Sequence, residues 1–378
     1  MAQGETERAG RRRDLDGLRG VAILLIIILH YVSRGGYFHY LGPKPLALLL
    51  DSFWSGVDIF FVLSGFLIGG IILDNGRADN FFRVFYLRRS LRILPVAFLT
   101  IGLSYLVIPI LTPSILWHTQ VPSYAYLLFI NNFWTARGLN PFPPLEPMWS
   151  LAIEEQFYWM APAFMLMVGA RIRNVLLLMI VMISPILRLR DFGVSSWDFT
   201  LFRLDGFAAG ILVAALLRSV RFEEVVAQSR KAINRAIIGL LIGTLVFTIT
   251  PGYSLRVRVA IGISLYSVAT AGVILFLHLN RNGALSYALS RSWLAAIGRV
   301  SYFLYLMHLP ILVCVVIAGV PWLMQPLLAL GICMLFAWVS WQLLESRLIN
   351  IGKRLPYKGA AGAVSSEAAL ATGGAGNR

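Results

Sequence analysis

LRGVAILLIIILHYV fills residues 18–32, and its reading decides the architecture. The run is continuously apolar, long enough to belong to a bilayer-spanning helix, and shows none of the alternation of a half-buried strand. Two residues do not belong to a plain anchor: Arg19 at its start and His30 near its end. At about 1.5 Å per residue, the imidazole lies roughly 16 Å beyond the arginine, at mid-bilayer or slightly past it. An ionisable group at that depth is costly and is a functional candidate by default. For His30 alone, the plainer reading is a ring hydrogen-bonded to a neighbouring helix as packing glue.

The same character continues outward from this stretch. Of 378 residues, 58% are hydrophobic and 13% charged, with a mean hydropathy of +0.74. Repeated long apolar stretches predict an all-α polytopic membrane protein, because a barrel would show short alternating segments. About ten transmembrane helices are expected, near 17–33, 54–73, 93–111, 149–169, 174–188, 199–217, 235–250, 258–279, 294–318 and 324–343. The short apolar segment 123–134 reads as re-entrant or interfacial. Three regions follow: a basic N-terminal arm (1–16), a transmembrane domain (17–345) and a small, polar, largely disordered tail (346–378). The arm precedes a long apolar run without a small-residue cleavage site, so no cleaved signal is expected. Cys314 and Cys333 both lie in apolar runs and suggest neither a disulfide nor a metal site.

A net charge of +15 raises the question of nucleic acid, but a membrane protein has another use for it. Alternating the spans from an inside N-terminus places 25 of the 33 Lys and Arg on the cytoplasmic side and seven outside, with Arg203 within a span. That bias predicts that both termini are cytoplasmic, and no nucleic-acid partner is expected.

His30 has company. Asp58, Glu154, Glu155, Arg203, Asp205 and His308 all fall in or at the ends of predicted spans, from mid-membrane outward. A shared depth suggests a polar cavity open to the outside. On the inner side, FYLRRSLRILP places Arg88, Arg89 and Arg92 within one helical turn. Such guanidiniums fork onto phosphate oxygens, although lipid headgroup contact is the plainer reading. Neither a Walker nor a Rossmann glycine pattern is present.

Taken in order, LDGLRG with Arg19-x10-His30, GVDIFFVLSGFLI, FYLRRSLRILP, EPMWSLAIEEQFYW, FRLDGFAAG and SYFLYLMHLP resemble the motifs of the acyltransferase family 3 membrane proteins, among them bacterial O-antigen and Nod-factor O-acetyltransferases. The resemblance covers about residues 15–345. It implies His30 as catalytic histidine with Arg19 as motif partner, and Glu154 as the acidic residue after Trp149-Ser150-Leu151. It implies that Arg89 and Arg92, with Arg88 beside them, engage an acyl-CoA donor, expected to be acetyl-CoA. Asp58, Arg203, Asp205, His308, Trp149, Ser150, Tyr302 and Tyr305 are expected as substrate contacts or supports. No metal is implied. Some relatives carry a further hydrolase-like domain, and the short tail here leads us to expect none.

These readings combine into a transfer across the bacterial inner (plasma) membrane. Cytoplasmic acyl-CoA would be held by the arginines, and a hydroxyl of a cell-surface or secreted carbohydrate or glycolipid would accept the acyl group near His30. The imidazole, with an ordinary pKa near 6.5, would act as a general base or as an acyl-carrying nucleophile, with Glu154 or Asp58 orienting it. A transporter or flippase of lipid-linked glycans, using His30, Glu154 and His308 as a proton relay, is the alternative. It accounts less well for the arginine cluster.

Overall fold

A computed structural model describes residues 12–33, 44–190, 195 and 197–359. Helix α1 (Arg13–Ile28) passes into a π-helical turn at Leu29–Ser33. Then follow α2 (Lys44–Asp51), α3 (Gly56–Asn75) and α4 (Phe81–Leu111). Two short helices, α5 (Ser123–Leu127) and α6 (Asn132–Thr135), lead into α7 (Met148–Met167) and α8 (Ala170–Leu189). Next come α9 (Leu204–Leu216), α10 (Val220–Ile249), α11 (Leu255–Leu279), α12 (Ala284–Leu289), α13 (Ser292–Arg299) and α14 (Ser301–Ile317). The chain closes with α15 (Gln325–Ser340), a second π turn at Trp341–Glu345, and α16 (Ser346–Lys353). The described residues contain no strand.

Among the described residues, seven helical runs are long and apolar enough to cross a membrane, and α13 with α14, bent by 70°, makes an eighth if taken as one span. The remaining two expected spans correspond to α7 and α9. Consecutive Glu154, Glu155 and Gln156 lower the hydropathy of α7, and α9 has only 13 residues. Helix α9 is almost wholly enclosed, lying against α3, α8 and α11, whereas α7 buries its first half against α3 and turns Trp159, Met160, Leu166 and Met167 outward. By contrast, only 17% of the apolar windows of α10 and of the α15–α16 run is buried. Leu245, Val246, Leu327 and Leu335 point outward from them. Apolar faces of that extent are normal toward lipid and rare toward water.

Close helix contact depends on glycine at two places that matter for the site. A Cβ on Gly210 of α9 would sit 2.1 Å from the Val62 carbonyl oxygen of α3. One on Gly17 of α1 would sit 1.9 Å from the Leu289 carbonyl oxygen of α12. Helices in lipid gain by such approach because dispersion contact, not water exclusion, holds them together.

Two segments take definite form here. Residues 346–359 are not a loose tail: α16 packs on α4, and the segment beyond it is pinned by Asn80, whose side chain donates to the Pro356 carbonyl and accepts from the Lys358 N–H. The rest of the tail, from 360, and the arm before Arg12 lie outside the described residues. The segment 123–134 becomes α5 and α6 around Phe129, whose φ is 53°, and neither helix is long enough to cross.

Candidate active site

Arg19 and His30 share α1 and its π turn but serve different assemblies. Arg19 lines a narrow cavity of about 70 Å³ together with Arg89 and Arg92 of α4 and Glu154 and Tyr158 of α7. The sequence reading paired Arg19 with His30. The structure instead sets Arg19 among the α4 arginines, because 11 residues of helix separate it from the imidazole. Asp16, one turn back, lies 3.8 Å from the Arg19 guanidinium. Among the described residues no carboxylate lies within salt-bridge distance of Arg89 or Arg92. Arg89 lies over the Tyr158 ring at 5.1 Å. Three guanidiniums thus face one small space whose wall holds a single carboxylate, an arrangement that favours an anionic guest.

That carboxylate, Glu154, accepts short hydrogen bonds from the Ser64 and Tyr158 hydroxyls. It therefore faces the arginine cavity, and Asp58 pairs with Arg203. Neither Ser64 nor Tyr158 was singled out in the sequence. Tyr158 was findable, being four residues from Glu154 and so on the same helix face. Ser64, on another helix, carried no such signal. Glu155 is buried, and among the described residues its Oε1 has no hydrogen-bond partner.

At the other end of α1, the π turn presents His30. Its Nδ1 lies 2.9 Å from the Ile26 carbonyl oxygen and 3.3 Å from Nε2 of His308. The two rings tilt at 57° with centroids 4.9 Å apart. His308 is fully buried, and its Nδ1 lies 2.7 Å from the Tyr305 carbonyl oxygen. Tyr31 donates to the His308 carbonyl at 2.8 Å, which ties the π turn to α14. Single π turns recur at functional sites because they re-aim side chains without ending the helix.

The other expected residues form the support. Arg203 pairs with Asp58 at 2.8 Å, both buried, and its guanidinium lies over the rings of Phe61, Trp149 and Trp197. Asp205 pairs with Arg188 at 2.7 Å and accepts from Ser264 at 2.5 Å. Arg188 is among the seven Lys and Arg that the charge count places outside. Its side chain is instead fully buried at the end of α8, where Asp205 and the carbonyls of Ala260 and Phe202 receive it. Ser150 and Tyr305 bring their hydroxyls to 2.5 Å, and both reach the Pro147 carbonyl. Tyr302 donates to the Ile93 carbonyl at 2.8 Å.

Arg88 separates from its two neighbours. Its guanidinium donates to the carbonyls of Gly352 and Leu355 and lies 4.8 Å from the Tyr357 ring centre. Burial raises the Tyr357 phenol above its ordinary pKa, with Arg88 opposing. On the helix surface Arg92 lies between the other two, about 40° from Arg88 and about 60° from Arg89; Arg88 goes to the α16 side because the Gly352 and Leu355 carbonyls receive it there.

A second cavity of about 1140 Å³ opens on the His30 side, lined among others by Leu29, Trp54, Trp149, Trp197, Glu146 and Tyr266. Consecutive residues bring the two spaces together, since Trp149 lines the large one and Ser150 the narrow one. The histidines line neither cavity themselves: Tyr305, whose ring is 5.9 Å from that of His308, lines the narrow one, and Leu29, the residue before His30, lines the large one. Among the described residues, no three His, Cys, Asp or Glu side chains gather into a metal-holding group.

A family profile described as "Acyltransferase domain" matches residues 12–345. Over 184 residues the chain is 31% identical to "Peptidoglycan O-acetyltransferase OatA" of Listeria monocytogenes serovar 1/2a, which covers 45% of this chain and 26% of that protein. Over 163 residues it is 36% identical to "Putative peptidoglycan O-acetyltransferase YrhL" of Bacillus subtilis strain 168, covering 40% and 23%. Over 165 residues it is 32% identical to a "Putative O-acetyltransferase" of Staphylococcus aureus strain COL, covering 40% and 24%. The matched part is about a quarter of the length of each of these relatives. No solved structure matches.

Proposed function

The chain belongs to the acyltransferase-domain family over residues 12–345, and from that premise we propose that it is a membrane O-acyltransferase that moves an acetyl group from acetyl-CoA to a hydroxyl of a cell-envelope carbohydrate. The observation that carries the reading is the arginine-walled cavity, which Tyr305 links to the buried His308 and so to its partner His30. Arg89 and Arg92, joined by Arg19, would hold donor phosphates, leaving the narrow space for the thioester end of the pantetheine arm. The large cavity combines aromatic faces with carboxylates and arginines, a lining suited to a sugar, which presents both apolar C–H faces and hydroxyls. The relatives named for peptidoglycan O-acetylation support a glycan acceptor. His30 is the base or the acyl carrier; Arg19 and Glu154 act on the donor side, and the Asp58–Arg203 and Asp205–Arg188 pairs hold the framework.

We take α7 and α9 as two further crossings, which brings the count to ten, with both termini cytoplasmic in a bacterial inner membrane. On this assignment, the end of the molecule holding residues 12–20, 76–92, 284–299 and 346–359 is the cytoplasmic one. The donor cavity then opens toward the compartment in which acyl-CoA is made.

The test is acyl transfer from labelled acetyl-CoA by purified protein to isolated envelope glycans. His30→Ala should lower the rate by about 10²–10⁴ if the imidazole is the general base, with acyl-CoA binding retained. Transfer by His30→Ala at the wild-type rate would remove His30 from the chemistry. No transfer by wild type, together with glycan export that depends on the protein, would favour a transporter.

A further inference from the structure

The hydrogen bonds of the histidine pair carry an assignment of atoms. A carbonyl oxygen only accepts, so each ring nitrogen facing a carbonyl must carry the hydrogen. In His308 that nitrogen is Nδ1, 2.7 Å from the Tyr305 carbonyl oxygen, which leaves its neutral Nε2 as an acceptor. In His30 it is again Nδ1, 2.9 Å from the Ile26 carbonyl oxygen. The same Nδ1 faces Nε2 of His308 at 3.3 Å. One N–H is thus shared between two acceptors. In the opposite tautomer, the Nδ1 lone pair of His30 would face the lone pairs of both.

We infer that His308, together with the Ile26 carbonyl, holds His30 as the Nδ1–H tautomer, so that Nε2 of His30 is the reacting nitrogen and His308 is its positioning residue. The inference rests on the acyl-transfer reading for what Nε2 does. In general-base transfer, the acceptor hydroxyl oxygen attacks the thioester carbonyl carbon. The new C–O bond forms as the C–S bond breaks. The hydroxyl proton passes to Nε2 and from there to the CoA thiolate. In the covalent alternative, Nε2 attacks the same carbon and the thiolate leaves. The hydroxyl oxygen then takes the acyl group from Nε2, and its proton ends on the thiolate. Both routes need an unprotonated Nε2, and both build positive charge on the ring. Nδ1–H then donates more strongly to His308, which gives a fixed acceptor with no reorganisation in the transition state.

The pairing is held from both sides. Tyr31, next to His30, donates to the His308 backbone carbonyl, and the π turn sets the ring against Ile26 of its own helix. His308 cannot swing away, being fully buried.

The test has two readouts. The first is nitrogen NMR of protein labelled only at its five histidines, with signals assigned by single substitutions. It should show His30 protonated at Nδ1 and bare at Nε2. The second compares two replacements. His308→Phe keeps a ring and removes the acceptor, whereas His308→Gln loses the ring and keeps a side-chain oxygen at similar reach. With His308 as positioning residue, Phe should lower kcat about tenfold, the loss of one hydrogen bond to a charged group. The KM for acyl-CoA should be little changed, and Gln should recover most of the loss. An Nε2–H tautomer at His30 in wild type, or Phe retaining more activity than Gln, overturns the inference. Failure of the acyl-transfer reading would appear separately, as wild-type protein that transfers nothing while the tautomer is still read by NMR.

Discussion

The side chains of Arg88, Arg89 and Arg92 show how one motif divides into two roles. Arg88 closes the C-terminal segment onto α4, and its neighbours face the cavity. Replacing Arg89 or Arg92 by Lys keeps the charge but loses the planar fork, and should weaken acyl-CoA binding by about tenfold or more. Arg88→Lys should change that affinity little and instead loosen the residues after α16. Titration of purified protein with acyl-CoA checks all three, and equal losses for all three would contradict the division. The Asp58–Arg203 pair supplies a second prediction at this scale. Removing Arg203 alone leaves a buried carboxylate uncompensated and should cost about 3–5 kcal/mol, whereas Asp58→Leu with Arg203→Met should recover most of that. Detergent-solution unfolding of the single and double variants measures the difference.

At the scale of helices, α3 and α9 touch backbone to backbone through Gly210; α3 carries Asp58, and α9 starts directly after its partner Arg203 and carries Asp205. Gly210→Val has no space at 2.1 Å from a carbonyl oxygen, so the helices must separate. We expect a loss of at least about 1–3 kcal/mol from overpacking. Activity should fall with it, because Asp58 on α3 would move relative to Arg203. Thermal unfolding followed alongside acyl transfer distinguishes this from a purely local effect: stability lost with activity intact would show that helix spacing does not govern the site. The π turn at Leu29–Ser33 is the other decisive element. An uninterrupted α register there would rotate His30 relative to His308, and the sequence run itself gives no warning of it.

For the whole molecule the prediction concerns sidedness. With Cys314 and Cys333 replaced by Ala, a cysteine at the exposed Arg77 position should resist a membrane-impermeant thiol reagent in intact cells and react once the membrane is opened. Labelling from outside in intact cells would invert the assignment of the donor cavity. The same experiment with a cysteine near residue 358 tests whether the segment clamped by Asn80 shares that side.

How much of this was legible in one dimension follows from what hydropathy and charge measure. Each apolar run reports its own transfer cost into lipid, so the membrane-spanning, all-helical class and the approximate place of most spans were readable residue by residue. The same cost marked His30, Glu154, Asp58, Arg203, Asp205 and His308 as exceptional, since an ionisable group among apolar neighbours needs a reason. What each of them meets was not readable. Arg19 and His30 belong to one motif, yet Arg19 lines the narrow cavity and His30 meets His308. Glu154 finds Ser64 and Tyr158 rather than the histidine, Arg188 turns from a loop charge into a buried cation, and His30 finds a partner 278 positions away. Such pairings depend on which helix faces which, and that is set by close contacts such as Gly210 against Val62 and by a one-turn change of helical register. Sequence by itself determined that this chain must keep its charges inside a membrane; only the packing of its helices decided which charges meet.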